Sequence, residues 1–277
     1  MKRILVSALT LVLIGAALAG TAFSQIPVGD FGFDGRILGD KKGHKLASSA
    51  GFFARVYDST NPRRLPEAIT ASPPYATLFA NLWLPRGMKF DLGSFPKCAT
   101  ETVLDMPAKC PKGSEVGRGE AGGYARPKSA PAGVGTFVGL DLRIFVAGGD
   151  SLNLRAKTPL TTALIRGKLT RASGAQASTY GWKMRFTIPI ELIQPAPGLV
   201  SQLTDFSATI PAQRYRGKPL ARVVSCPAPY KGALGFNGEF NSNLSRGNIG
   251  MGTSSPENGE FTVDAVSPVI GVTSRCR

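Results

Sequence analysis

The chain has 277 residues, and 33 Lys and Arg against 18 Asp and Glu give it a net charge of +15. Its 33 Gly and 21 Pro are spread through a chain that is 43% hydrophobic, which excludes a disordered or collagen-like polymer and calls for a turn-rich globular domain. A single His and four Cys leave little material for imidazole chemistry or a zinc centre.

Lys2 and Arg3 precede an apolar run from Ile4 to Ala19, and small residues follow at Ala17-Leu18-Ala19 and Ala22-Phe23-Ser24. This is the pattern of a secretory signal peptide over residues 1–24, cleaved after Ala19 or Ser24. The run is shorter than the about 20 residues of a membrane span, so removal is favoured over an uncleaved anchor. Thr21 stands where a lipoprotein signal would carry Cys. No later stretch is apolar enough to span a bilayer. The expectation is a secreted or envelope-associated protein, working where cysteines oxidise. Without Lys2 and Arg3 the balance is 31 against 18, or +13.

Residues 25–75 read as a loosely ordered arm, rich in Gly, Asp and Pro, with Phe52, Phe53, Val56 and Tyr57 able to supply one edge strand. Residues 76–277 read as a single β-sandwich domain. From Ala76 to Leu84 apolar residues fall on both faces at a period of two, so this strand is central. Residues 134–147 alternate most clearly: Leu140, Leu142, Ile144 and Val146 point one way, and Phe137, Asp141, Arg143 and Phe145 the other. Residues 160–171 and 179–190 form a long hairpin around a small polar link. Further strands are expected at 203–210, 219–226, 233–241, 260–266 and 268–276. Only Ala99 to Met106 looks helical, for about two turns. The sum is an all-β chain of about ten strands, an antiparallel sandwich or jelly-roll-like fold with one short helix between Cys98 and Cys110.

The four cysteines allow three pairings. Cys98–Cys110 with Cys226–Cys276 is favoured, because each bridge then stays within its own region. Metal binding is set aside, since the Cys98–Cys110 gap is wider than zinc spacing and only His44 could add imidazole. No cofactor is expected. Gly117-Arg118-Gly119-Glu120-Ala121-Gly122 matches a dinucleotide fingerprint by letter, yet Gly123-Tyr124-Ala125-Arg126-Pro127 cannot open the helix that site needs. The glycines read instead as a flexible or bulged strand. A serine triad would have to use His44, in the loose arm. Glycan hydrolysis needs two carboxylates at a set separation. Asp141, Glu191, Asp205 and Glu239 lie in or beside strands, and nothing in the sequence pairs them.

One constellation suggests binding. Arg166 and Lys168 share a face of the first hairpin strand, and Lys183 and Arg185 share the outward face of the second. Four cations on one surface would suit an anionic ligand; the plainer alternative is a solvated face whose register keeps them apart. Nucleic acid fits the charge but not the compartment, so acidic wall polymers or acidic polysaccharide are better candidate partners; the plainer reading, that basic charge keeps an exported protein soluble, stands ahead of both, since net charge alone names no partner. Oligomeric state is not legible.

The segments Leu84-Pro85-Arg86-Gly87 to Phe95-Pro96-Lys97-Cys98, Cys110-Pro111-Lys112-Gly113-Ser114-Glu115-Val116-Gly117-Arg118-Gly119, Leu203-Thr204-Asp205-Phe206-Ser207 and Cys226-Pro227 with Phe236 and Phe240 resemble blocks of a family of secreted bacterial β-rich proteins of uncharacterised function. The likeness covers about residues 76–276, and Leu234-Gly235-Phe236 departs from it where the family carries Trp. It implies export, two bridges and a sheet fold, and assigns no functional residue. The sequence therefore points first to an exported non-enzymatic protein, binding or structural at the cell surface, and second to a secreted glycan hydrolase.

Overall fold

The structure, a computed structural model, describes residues 31–39, 49–58, 76–127, 135–159, 161–225, 234–241, 263 and 265–272. The expected signal peptide, His44 and the expected Cys226–Cys276 bridge lie outside the described residues.

Sixteen strands are described. They are β1 (Phe31–Gly39), β2 (Ala50–Asp58), β3 (Ala76–Pro85), β4 (Met88–Phe90), β5 (Glu115–Pro127), β6 (Thr136–Gly148), β7 (Ser151–Lys157) and β8 (Thr162–Arg171), followed by β9 (Tyr180–Thr187), β10 (Leu199–Ile210), β11 (Arg214–Tyr215), β12 (Lys218–Pro219), β13 (Ala221–Val223), β14 (Leu234–Asn241), β15 (Ala265–Val266) and β16 (Ile270–Val272). Two short α-helices interrupt them, α1 (Thr100–Asp105) and α2 (Ile190–Ile193). The fold is all-β, and every described strand pairing is antiparallel.

One sheet carries all but β11 and β12, in the order β15-β14-β3-β9-β8-β7-β6-β5-β10-β2-β13-β4, with β1 beside β2 and β16 beside β14. Strand twist accumulates over so many strands, and the sheet folds over until its two halves face each other across one core. Its ends meet there. β1 packs against β14 and β16, and Phe33 stacks on Phe236 with ring centroids 6.2 Å apart. The alternation read in β6 sets its inner face: Leu140, Leu142, Ile144 and Val146 are buried in the core with Leu152, Leu154 and Ala156 of β7 and Met184 and Phe186 of β9.

The outer face of β6 to β8 is covered by the segment between the first two cysteines. α1 has one buried residue, Val103, which packs with Cys98 and the fully buried Phe145. The helix stops at Met106, whose backbone leaves the helical region (φ −135°, ψ 58°) ahead of Pro107, a residue that disfavours helix at the position before it. The Cys98–Cys110 disulfide closes this cap. The Cys98 N–H donates to Val146 O at 2.9 Å, which fixes the cap to β6. The Cys-Pro-Lys-Gly-Ser run that leaves the cap is a turn: Ser114 N–H donates to Pro111 O at 3.0 Å, and Gly113 takes φ 91°, which favours glycine.

The strand pattern differs in part from expectation. Within the expected N-terminal arm, β1 and β2 are full strands of the sheet, where only Phe52 to Tyr57 suggested one. Their Gly and Asp content hides a strand whose burial comes from partners far along the chain: Gly35 lies against Leu234, where an added Cβ would sit 2.9 Å from its Cδ1. β7 was not anticipated, although Leu152, Leu154 and Ala156 alternate with polar residues. Within the strands expected at 219–226, 260–266 and 268–276, the described residues include β13, β15 and β16. The fingerprint-like glycines lie within β5, as a strand reading requires. A Cβ on Gly119 would come within 2.2 Å of Ser207 O, so glycine there lets β5 approach β10.

Candidate anion-binding groove

β8 and β9 pair as a hairpin with Lys168 directly opposite Arg185, and Arg166 opposite Thr187. Register therefore does not keep these cations apart. Adjacent strands stand about 4.8 Å apart, and the repulsion between Lys168 and Arg185 is relieved by Glu239, which pairs with Arg185. On the other side of β8, Ser151 lies opposite Lys168 and Asn153 opposite Arg166. These six residues make a polar floor on the outer face of the sheet.

The cap forms the wall. Lys97, Thr100, Thr102, Lys109 and Pro111 face the floor across an open groove of about 1530 Å³, part of it continuous with solvent. Asn153 Nδ2 donates to Thr100 Oγ1 at 3.4 Å and Arg155 Nε to Leu104 O at 3.1 Å, tying wall to floor. Lys97, Lys109, Arg166, Lys168 and Arg185 line the groove, and among the described residues no carboxylate lines it. Lys97, Lys109, Arg166 and Lys168 are solvent-exposed.

Arg185 is the most constrained of the five. Its guanidinium lies 3.8 Å over the Phe79 ring, and Nη2 donates to Glu239 Oε2 at 2.6 Å. Glu239 also accepts from Asn81 Nδ2 at 2.8 Å and stands 3.7 Å from Lys183. Lys183, expected to join the other three, does not line the groove. It lies over Trp83, 5.3 Å from the ring centroid. Burial pulls its pKa below the ordinary lysine value; Glu239 opposes this, and Arg185 adds to it. So the structure brings Arg166, Lys168 and Arg185 together, sets Lys183 aside and adds Lys97 and Lys109. The two added lysines flank Cys98 and Cys110, and only the packing of the cap carries them to the hairpin.

The carboxylates considered for hydrolysis are dispersed. Asp141 is exposed on β6, opposite Glu120 and Lys157, and the hydrogen-bonded ion-pair partner of Arg143 is Glu115. Burial disfavours the charge of Glu115, but hydrogen bonds from Arg143 and Arg118 outweigh it and hold the carboxyl below its usual range. Glu191 is exposed on α2, and Asp205 is buried on β10, accepting from Thr204 Oγ1 at 3.0 Å. Four strands lie between Asp141 and Glu239 in the sheet. None of the four lines the groove. Among the described residues, no cluster of three or more His, Cys, Asp and Glu could hold a metal.

Comparison with known proteins finds no matching family model, no matching curated protein and no matching solved structure.

Proposed function

We propose that this is an exported, non-enzymatic protein that binds acidic cell-envelope polymer, phosphate- or carboxylate-bearing, along the groove between the disulfide-closed cap and β7 to β9. The observation that carries the reading is the lining itself: five cations, no carboxylate, and Thr, Ser and Asn side chains interleaved as hydrogen-bond partners. Arg offers a fork that matches phosphate or carboxylate, and Lys adds a point charge. Glu239 already compensates Arg185, so an anionic chain crossing the strands would be held chiefly by the exposed Lys97, Lys109, Arg166 and Lys168. The N-terminal segment supports export, and the Cys98–Cys110 bridge suits an oxidising compartment. The dispersed carboxylates give the hydrolase reading no support.

Retention on immobilised wall teichoic acid and on polyuronate tests this. Lys109→Glu with Lys168→Glu reverses two groove charges. Lys89→Glu with Arg222→Glu makes the same change in net charge on exposed residues of β4 and β13, outside the groove. We expect the groove pair to weaken retention by roughly tenfold at low salt, about 1.4 kcal/mol, and the distant pair to do much less. Equal losses from both pairs would reduce the interaction to bulk charge and end the groove assignment.

A further inference from the structure

The outer face of β14, β3 and β9 brings an amine, an amide and a carboxylate together. Register places Trp83 opposite Lys183 and Asn81 opposite Arg185, so Lys183 and Asn81 are diagonal neighbours on adjacent strands. Diagonal positions on one sheet face lie about 7–8 Å apart, within reach of a lysine stem. On the other side of β3, Glu239 stands opposite Phe79. Its Oε1 accepts from Asn81 Nδ2 at 2.8 Å and lies 3.7 Å from Lys183 Nζ. One carboxylate oxygen thus serves both the amine and the amide nitrogen.

The surroundings suit acyl transfer between these groups. Asn81 is fully buried, and its Oδ1 has no hydrogen-bond partner among the described residues. A polar atom held unpaired in the interior costs free energy that a purely structural asparagine would avoid. Glu239 and Lys183 are both mostly buried, and Lys183 lies over the ring of the buried Trp83. Burial pulls the lysine pKa down, against the pull of Glu239 and with the help of Arg185. That eases access to the neutral amine, the form that attacks carbonyl carbon.

We propose that Lys183 and Asn81 join in an intramolecular isopeptide bond, with Glu239 as the catalytic proton carrier. Glu239 takes a proton from the lysine ammonium, and the freed Nζ attacks Asn81 Cγ to form a C–N bond. Glu239 then gives its proton to Nδ2, the Cγ–Nδ2 bond breaks and ammonia leaves. The attacking nitrogen loses a second proton through Glu239 to the departing ammonia, which leaves as ammonium. The carboxylate ends as it began, and no other reactant is consumed. The product staples β3 to β9 with a link that reductants leave intact. It does not depend on what the groove binds.

Tryptic mapping of the purified protein by mass spectrometry tests it. We expect cleavage after Lys183 to fail and a branched peptide to appear, residues 65–86 joined to residues 172–185 and lighter than the two together by one ammonia. Lys183→Arg and Glu239→Gln should each abolish the branch and return that ammonia to the mass of the intact chain. Recovery of residues 65–86 and 172–183 from wild type as separate peptides of full mass overturns the proposal, whether or not either variant folds. Loss of ammonia without a branch also overturns it, because it reports ring closure at Asn237-Gly238 instead. A branch that forms equally well in Glu239→Gln overturns the role given to Glu239.

Discussion

The Cys98–Cys110 bridge sets the geometry of the groove wall, and its removal has a calculable consequence. The bridge spans 12 positions. In the loop-entropy treatment, closing such a loop costs the unfolded chain about 9.5 cal/mol/K, or about 2.8 kcal/mol at room temperature. Cys98 is buried against Val103 and Phe145, so two serines add the burden of a polar group in an apolar cluster, and the total loss is about 3–4 kcal/mol. For a domain of this size that lowers the melting temperature by about 6–16 °C. The assay is calorimetry on Cys98→Ser with Cys110→Ser, not on reduced wild type, because a reductant would also act on Cys226 and Cys276. Limited trypsin digestion locates the change: cuts after Lys97, Lys109 and Lys112 should accelerate while the sheet resists. A melting temperature within about 2 °C of wild type, or acceleration spread evenly over the sheet, would refute the view that the bridge holds the cap in place.

Phe145→Ala removes the largest side chain beneath the cap and should cost about 3–5 kcal/mol in denaturant unfolding, since neither cap nor sheet can collapse into the space. Glu115→Gln should cost about 1 kcal/mol at neutral pH, at the low side because the carboxylate is partly solvated. The sign follows from the lowered pKa of Glu115: its contribution is present above the unfolded carboxyl value and disappears as pH falls through the folded one. Wild type and variant should therefore converge in acid, as read by thermal melts across pH. Gly119→Ala places a Cβ 2.2 Å from Ser207 O and should lower stability by about 1–3 kcal/mol, where the same change in an open strand would raise it slightly; chemical denaturation gives the sign.

Much of the fold was legible wherever pattern and partner are local. The alternation from Thr136 to Val146 identified both the strand and its buried face, and the polar link at 172–178 located the β8–β9 hairpin. Ala99 to Met106 was placed within a residue at each end, because Pro107 marks the stop. The early strands were obscured for a physical reason. β1 draws its burial from Leu234 and Phe236, and no composition window around Phe33 contains that information. The glycines of β5 weaken the strand signal, yet they are what close contact with β10 demands. At the groove, Arg166, Lys168 and Arg185 share the outer face that strand parity assigns them. Lys183 obeys the same parity but stands opposite Trp83 of β3, over whose ring it lies beside Glu239 of β14, and no local pattern ties either residue to β9. Lys97 and Lys109 became visible only with the cap docked.

The stacking of Phe33 on Phe236 also bears on how the chain reaches its final state. Stretches some two hundred residues apart must meet before the seam exists, so a nascent molecule emerging N-terminus first holds the β1–β2 pair with the Phe33 face of β1 uncovered until β14 arrives. During that interval the ribbon carries raw borders able to capture a neighbour's backbone. Keeping newly emerged copies dilute, or shielded by a holdase, then becomes a condition of high yield, and Phe236→Ser should shift the product toward aggregates before any loss of secondary structure is seen.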